Sequence, residues 1–194
     1  ISYAKQASLH ASPYMEAWLK YHGFDIQKMT LSRDDAMPIA FAGSADAIVH
    51  DDTIYLGYGM YTSHHIANIL PSNFNAPIID LALIDKRTPY LIDCFCPLPC
   101  GKALIYEQGL DPLSRKRLAR DFTLIPVSEH DVLAGACNAL VLNHTLIMPS
   151  GCHDAMEKLF LYDYEVIEVD IPQYRQRGFG CKSLITECTD CTLP

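Results

Sequence analysis

Long apolar runs and clusters of basic residues are both scarce in this chain, and each scarcity excludes a class of protein. The clearest apolar runs, residues 139–142 and 146–148, fall far short of the roughly 20 residues that a transmembrane helix needs. Lys and Arg number 15 against 23 Asp and Glu, a formal net charge of −8. The only basic clusters are 115–117 and 175–177, so we expect no nucleic-acid surface, which would need concentrated positive charge.

Several motifs are also absent. The chain has no G-x-G-x-x-G segment and no phosphate loop, which leaves nucleotide binding unsupported, and we expect no cofactor. It has no G-x-S-x-G elbow, on which a Ser–His–Asp hydrolase would depend. No linker rich in Gly, Pro or Ser divides the sequence, so we expect a single domain over residues 1–194. Hydrophobic residues make up 49% and charged residues 20%, which is typical of a folded domain with a core.

The eight cysteines bear on the cellular compartment. A chain of this length can build a core without disulfides, and no secretory signal opens the sequence. We therefore expect free thiols and an intracellular location, with cytosol and mitochondrial matrix fitting equally well. Cys188 and Cys191 have the spacing of a zinc half-site, but Cys94, Cys96 and Cys100 do not complete it, so core packing is favoured over metal. A disulfide from the last two cysteines to another chain stays open.

Hydrophobic periodicity predicts a repeated unit. A helix over 14–21 ends at Gly23, and residues 45–49 and 53–56 form a hairpin, followed by a helix over 61–70. The remaining predictions are strands at 24–29, 78–84, 91–95, 103–106, 123–125, 136–142, 145–148, 165–169 and near Leu184, and helices from Asp111-Pro112 and over 150–160. This strand–strand–helix–strand order recurs close to three times. Such a period favours modules stacked around an axis.

Several stretches together resemble one family. Residues 92–98 (IDCFCPL) and 103–106 (ALIY) resemble the "HLDT-x-F-x-PL … ALxY" segment of the amidinotransferase and dimethylarginine dimethylaminohydrolase group of the guanidine-modifying (pentein) superfamily. Four further stretches resemble segments of the same family and occur in the family's order along the chain. They are residues 45–47 ("GDA"), 57–62 ("GYGxRT"), 136–139 ("ACNA") and 178–184 ("GGxxKCLT"). The resemblance covers most of the chain.

The resemblance implies an α/β fold, a fan of ββαβ modules around a central channel that holds the active site. Five modules are expected in the family, and this chain resembles roughly three or more of them, as a partial propeller. Because the resemblance begins inside the second module of the family, we expect N-terminal modules to be absent, cleaved or supplied by another polypeptide. The first residue, Ile1, is not an initiator Met, so we expect a processed chain or a fragment. The exposed end of such a fan would be covered by other protein subunits.

The same resemblance implies that the catalytic pair is lost. The family attacks a guanidinium carbon with a Cys thiolate while a His acts as general acid and base. The nucleophile position aligns with Ser183 and the histidine position with Leu91. Cys181 could replace the nucleophile if both residues lay on a strand, but its sulfur would sit roughly 6–7 Å further along. We do not expect rescue, because near-attack geometry tolerates only about 1 Å.

The remaining family positions form a vestigial pocket. Asp93 and Asp46 are retained as carboxylates, and Asn138 is retained beside them. The arginine that would meet a substrate carboxylate aligns with Tyr61, and an expected Glu falls near Ala42. The resulting hypothesis is a catalytically inactive accessory subunit of a larger protein assembly, in the mitochondrion or the cytoplasm. The alternative is a guanidino-compound hydrolase, transferase or small-molecule binder that keeps the central pocket.

Overall fold

The computed structural model describes residues 12–24, 26, 40–70 and 76–185, and within them the chain folds into three sheets of three strands each. Every sheet has the same construction. Its first two strands pair antiparallel as a hairpin, and its third strand pairs parallel to the second after a helical crossover. The predicted repeat of strand, strand, helix and strand is thereby confirmed, as a mixed α/β fold.

The helices and strands follow one another in three units. Helix α1 (Ser12–Tyr21) precedes them. The first unit contains β1 (Ala47–His50), β2 (Thr53–Tyr58), α2 (Ile66–Ile69) and β3 (Ile78–Ala82). The second contains α3 (Leu91–Cys94), β4 (Phe95–Leu98), β5 (Lys102–Ile105), α4 (Pro112–Asp121) and β6 (Thr123–Pro126). The third contains α5 (Glu129–Ala134), β7 (Leu140–Leu142), β8 (Thr145–Pro149), α6 (His153–Phe160), β9 (Glu165–Val169) and α7 (Pro172–Arg175).

Local sequence explains the best-predicted boundaries. Helix α4 begins where predicted, because the Asp111 carboxylate accepts hydrogen bonds from the backbone N–H groups of Ser114 (2.8 Å) and Leu113 (3.4 Å). Pro112 supplies the first helical residue, where no N–H is needed. The β1–β2 hairpin turns at Asp51 and Asp52, whose φ angles of 45° and 59° are left-handed. Asp tolerates that conformation better than most residues.

The core is shared between units. The larger hydrophobic cluster spans the second and third units and takes in Ile48, Tyr55 and Leu81 from the strands of the first. Tyr55 packs against Phe95 and Phe122 with ring centroids 5.4 Å away, and the latter two rings lie 5.6 Å apart. These distances are typical of favourable aromatic pairs, so the rings contribute specific contacts in addition to buried area.

The crossover helices of the second and third units also contact the third strand of the unit before them. The Ser114 hydroxyl on α4 accepts a hydrogen bond from the backbone N–H of Ala82 (2.8 Å), and Arg117 pairs with Asp80 of β3 at 2.6 Å. In the next unit, Lys158 Nζ on α6 donates to the Pro126 carbonyl at the end of β6 (2.7 Å). The units are therefore joined in one direction, helix to preceding strand.

The structure corrects several predicted elements. Residues 91–95 are not a strand: they form the one-turn helix α3 and then enter β4. The predicted strand at 136–142 is a 3₁₀ turn (Ala136–Asn138) followed by the shorter β7, and the residues near Leu184 form a 3₁₀ turn (Lys182–Leu184). The helix predicted over 61–70 is limited to α2, and α5 was not predicted. The strand predicted at 24–29 falls mostly outside the described residues.

The correction at residues 91–95 has a physical reason in the hydrogen bonds of this backbone. The Leu91 backbone N–H is taken by the Asp46 carboxylate, and the Tyr90 N–H by the Asp93 carboxylate, so side chains rather than a neighbouring strand satisfy this backbone. Periodicity cannot reveal such partners.

Within the described ranges, no helix is both long and apolar enough to cross a membrane.

Candidate functional site

Asp46 lies at the centre of the region to which the family motifs map. It is fully buried and accepts hydrogen bonds from the Thr62 hydroxyl (2.7 Å) and from the Leu91 backbone N–H (2.8 Å). Thr62 Oγ1 also accepts a hydrogen bond from the backbone N–H of Ala42 (3.0 Å). Ala42 lies near the position where the resemblance leads us to expect a Glu. Burial raises the pKa of the Asp46 carboxyl to about 6, against the lowering effect of its two hydrogen bonds. Asp46 therefore joins three chain segments.

Leu91 occupies the position aligned with the family histidine. Its side chain is fully buried, and its Cβ would lie 2.8 Å from a Cβ added at Gly57 on β2. This close approach shows that the first turn of α3 packs directly on the strand backbone. An aliphatic side chain in this position supplies no group that can transfer a proton.

Asp93 is the carboxylate that retains partial access to solvent. Its Oδ2 accepts from the Tyr90 backbone N–H at 3.3 Å and its Oδ1 from Asn138 Nδ2 at 3.4 Å, both long hydrogen bonds. Burial raises its pKa to about 6, and the negative charge of Asp46 acts in the same direction. The positive charge of Arg175 acts in the opposite direction. This carboxyl can therefore change its charge near neutral pH.

Asn138 connects Asp93 to the aligned nucleophile position. The buried Asn138 amide donates from Nδ2 to Ser183 Oγ (2.8 Å), and its Oδ1 accepts from the Ser183 backbone N–H (3.1 Å) and hydroxyl (3.0 Å). A Cβ added at Gly180 would lie 2.4 Å from Asn138 Cβ, so only glycine allows this approach. The structure thus brings Asp93, Asn138 and Ser183 into one hydrogen-bonded row.

Cys181 and Ser183 are arranged differently from the prediction. The spacing argument assumed a strand, but Ser183 lies in the 3₁₀ turn and is exposed, whereas Cys181 precedes the turn and is buried. Burial raises the pKa of the Cys181 thiol, and the charge of Arg175 only partly opposes this. The thiolate, which is the nucleophilic form, is therefore disfavoured at Cys181.

Tyr61 stands at the edge of the same region. Its ring stacks on Tyr90 with centroids 4.9 Å apart, and 45% of Tyr61 is exposed. Because the Tyr90 backbone N–H binds Asp93, the aromatic pair and the half-buried carboxylate are adjacent along the chain. The vestigial pocket predicted from the sequence also includes Cys181, and the structure describes all five of its residues: Asp46, Tyr61, Asp93, Asn138 and Cys181.

Sequence reasoning missed Arg175. This residue of α7 donates from its guanidinium to the carbonyls of Leu133 and Phe179, the second at 3.2 Å, while its Nε is buried without a hydrogen-bond partner. The guanidinium lies against Gly135, where an added Cβ would be 2.8 Å from Cζ. Its location is set by tertiary packing, and the only sequence signal was the basic pair at 175–177.

The cysteines lie mostly in the core. Cys94, Cys96, Cys137 and Cys152 are buried free thiols, and burial raises the pKa of the Cys137 thiol well above its ordinary range. Across the described part of the chain, no group of three or more His, Cys, Asp or Glu side chains could hold a metal ion. Cys188 and Cys191 fall outside the described residues.

Comparisons with known proteins find relatives that match most of the chain. No family model matches the chain. The bifunctional arginine dihydrolase/ornithine cyclodeaminase ArgZ of Synechocystis sp. is 28% identical over 188 residues, which is 94% of this chain and 26% of that protein. The dimethylarginine dimethylaminohydrolase of Pseudomonas aeruginosa is 37% identical over 67 residues, which is 34% of this chain and 26% of that enzyme.

A solved structure matches nearly the whole chain. It is the N-terminal domain of ArgZ, as a cysteine-to-serine variant bound to substrate, with a TM-score of 0.82, 28% identity, and coverage of 93% of this chain and 65% of that one. These similarities define the class of protein. The chain belongs to the guanidine-modifying (pentein) superfamily, the one that contains the amidinotransferases and dimethylarginine dimethylaminohydrolase-like proteins. It spans about a quarter of the length of the curated ArgZ protein.

Proposed function

We propose that the chain is a catalytically inactive relative of the arginine dihydrolases that serves as an accessory unit of a larger protein assembly. The observation that carries the proposal is Leu91. The resemblance places the family's general acid and base at this position. The Leu91 side chain is instead aliphatic, and it is fully buried against Gly57. Its backbone N–H is bound by Asp46, so α3 is fixed in this arrangement.

The aligned nucleophile supports the same conclusion. A serine hydroxyl forms no alkoxide near pH 7 without a neighbouring base, and the described partner of Ser183 Oγ is the neutral amide of Asn138. Cys181 cannot substitute for it, because the thiol is buried and its pKa is raised. In ArgZ, a variant with serine in place of a cysteine was solved with its substrate still bound. That variant therefore still binds its substrate.

The direction of unit docking supports the accessory role. Helices α4 and α6 contact the third strand of the unit before them, and an equivalent helix on β9 would belong to a following unit. Among the described residues, β9 is an edge strand, with Ile167 51% exposed. We infer that the three units are part of an incomplete fan, forming one domain over residues 1–194. Other protein subunits would cover this edge. The assembly would lie inside the cell, in the mitochondrion or the cytosol.

Turnover measurements test the proposal. The purified chain is incubated with arginine, agmatine and dimethylarginine, and release of ammonia or dimethylamine is followed beside Ser183→Ala and Cys181→Ala. The proposal predicts no release above the protein-free blank for any of the three proteins. Release by the unmodified chain that disappears in either variant would contradict the proposal and identify the nucleophile.

Asp93 favours a second candidate, a binder of guanidino or amino compounds. Its two hydrogen bonds are long, it is only half-buried, and it adjoins the Tyr61–Tyr90 ring pair. A carboxylate with such a neighbour can hold a cation through charge-assisted hydrogen bonds and ring contact. This candidate predicts a higher melting temperature in millimolar agmatine or arginine, and loss of that shift in Asp93→Asn. An equal shift in Asp93→Asn, or none in the unmodified chain, would contradict it.

A further inference from the structure

A cysteine–histidine pair lies at the boundary between the second and third units, away from the site just described. Cys100 is exposed in the β4–β5 turn, and its Sγ is 3.9 Å from Nε2 of His144, within hydrogen-bond reach for sulfur. His144 is in the β7–β8 turn. The pair therefore forms only when the two hairpins are docked on each other.

The imidazole is held in place by its surroundings. Its ring stacks on Tyr164 with centroids 5.7 Å apart and an interplanar angle of 22°. The Tyr164 hydroxyl donates to the carbonyl of Pro99, the residue before Cys100, at 2.5 Å. Lys102, two residues beyond Cys100, places its ammonium 5.4 Å from the centre of the Tyr162 ring. The thiol thus lies beside an oriented imidazole, and a cationic residue follows two positions later, at the start of β5.

The other cysteines of the described segments differ from Cys100 in access. Cys94, Cys96, Cys137, Cys152 and Cys181 are all buried. Burial raises the pKa of the thiols of Cys94, Cys137, Cys152 and Cys181, which disfavours their thiolates. A reagent that reacts with thiolates should therefore discriminate sharply between Cys100 and the core cysteines.

We propose that Cys100, with His144 as its proton acceptor, is a modification site that forms mixed disulfides with small disulfides of the glutathione class. In the tautomer protonated on Nδ1, His144 Nε2 takes the proton of the Cys100 thiol. The thiolate attacks one sulfur of the disulfide, the S–S bond breaks, and the departing thiolate recovers the proton from the imidazolium. One thiol and one disulfide give one mixed disulfide and one free thiol, with no other oxidant.

The test measures the rate of mixed-disulfide formation at Cys100. The folded chain is incubated with oxidised glutathione and quenched with acid. Tandem mass spectrometry then quantifies the modification, because fragment ions distinguish Cys100 from Cys94 and Cys96 in their shared tryptic peptide. His144→Phe keeps a ring against Tyr164 but removes the proton acceptor. His130→Phe is the matched control, since His130 is also exposed and its described contact is with Asp131.

The proposal predicts that Cys100 reacts faster than the five buried cysteines, and that His144→Phe slows it roughly tenfold while His130→Phe does not. Melting temperatures of both variants establish that the fold is retained. If Cys100 reacts equally fast in His144→Phe and in the unmodified chain, exposure alone accounts for its reactivity and the proposal is overturned. A rate at Cys100 no higher than at the buried thiols would also overturn it.

Discussion

Asp46, which the motif resemblance aligns with a family carboxylate, has its hydrogen bonds within the fold. Its carboxylate is enclosed, and its oxygens are engaged by the Thr62 hydroxyl and the Leu91 backbone N–H. A carboxylate with both oxygens bound inside the protein is poorly placed to hold a ligand. Its negative charge is nonetheless costly, because burial raises its pKa to about 6.

The raised pKa of Asp46 gives a prediction about stability and pH. The carboxyl titrates near 3.8 in the unfolded chain and about 6 in the folded one, so the folded state binds the extra proton between these values. The free energy of unfolding of the unmodified chain, relative to Asp46→Asn, should fall as pH rises from 4 to 7. The total change should be about 2–3 kcal/mol, from about 1.4 kcal/mol per pKa unit.

Urea unfolding of the two proteins at pH 4, 5, 6 and 7 measures this difference directly. Asp51→Asn is the control for net charge, since Asp51 is an exposed residue of the β1–β2 turn and Asn also tolerates its left-handed φ of 45°. A difference between the unmodified chain and Asp46→Asn that stays constant, or grows with pH, would show that the buried carboxyl is not the titrating group.

The short elements around the site explain what the sequence could and could not predict. Helix α4 was predicted because its cap, Asp111-Pro112, is adjacent to it in sequence. Helix α3 was not, because the side chain that binds its first N–H, Asp46, lies 45 residues earlier. The 3₁₀ turn around Ser183 was likewise hidden, since Asn138 orders it from 45 residues away. Motif resemblance located these residues, but their hydrogen bonds required the folded chain.

The approach of Gly180 to Asn138 gives a prediction at the scale of one turn. A Cβ in Gly180→Ala would come 2.4 Å from Asn138 Cβ and 2.8 Å from its carbonyl oxygen, so the 3₁₀ turn must move off Asn138. Cys181, which precedes that turn, should then become accessible. Its alkylation by iodoacetamide, followed on the Cys181 peptide, should accelerate by roughly tenfold or more, since free exposure replaces burial.

Gly178→Ala is the control for this experiment. Gly178 has a φ of +81°, yet a Cβ added there meets nothing within 4 Å, so it introduces backbone strain without a steric clash. Cys181 should remain protected in this variant. Equal alkylation of Cys181 in Gly180→Ala and in the unmodified chain would contradict the assigned role of Asn138 in ordering this turn.

At the scale of the molecule, the repeat could be predicted from sequence and the docking between units could not. The order of strand, strand, helix and strand follows from local periodicity, and all three sheets have it. The contacts of Ser114 with Ala82 and of Lys158 with Pro126 join side chains to backbone groups of another unit. No local pattern encodes them. Helices α4 and α6 cover β3 and β6 in this way, but among the described residues no equivalent helix covers β9, which is an edge strand.

The central proposal is that this chain works as one unit of a larger assembly and not as an enzyme by itself. The most direct test is the native mass and subunit composition of the species that contains it, purified gently from its own source. The account predicts a complex in which the chain is present in a fixed ratio with at least one other polypeptide. A chain that runs alone, as a stable monomer or homodimer, would contradict it.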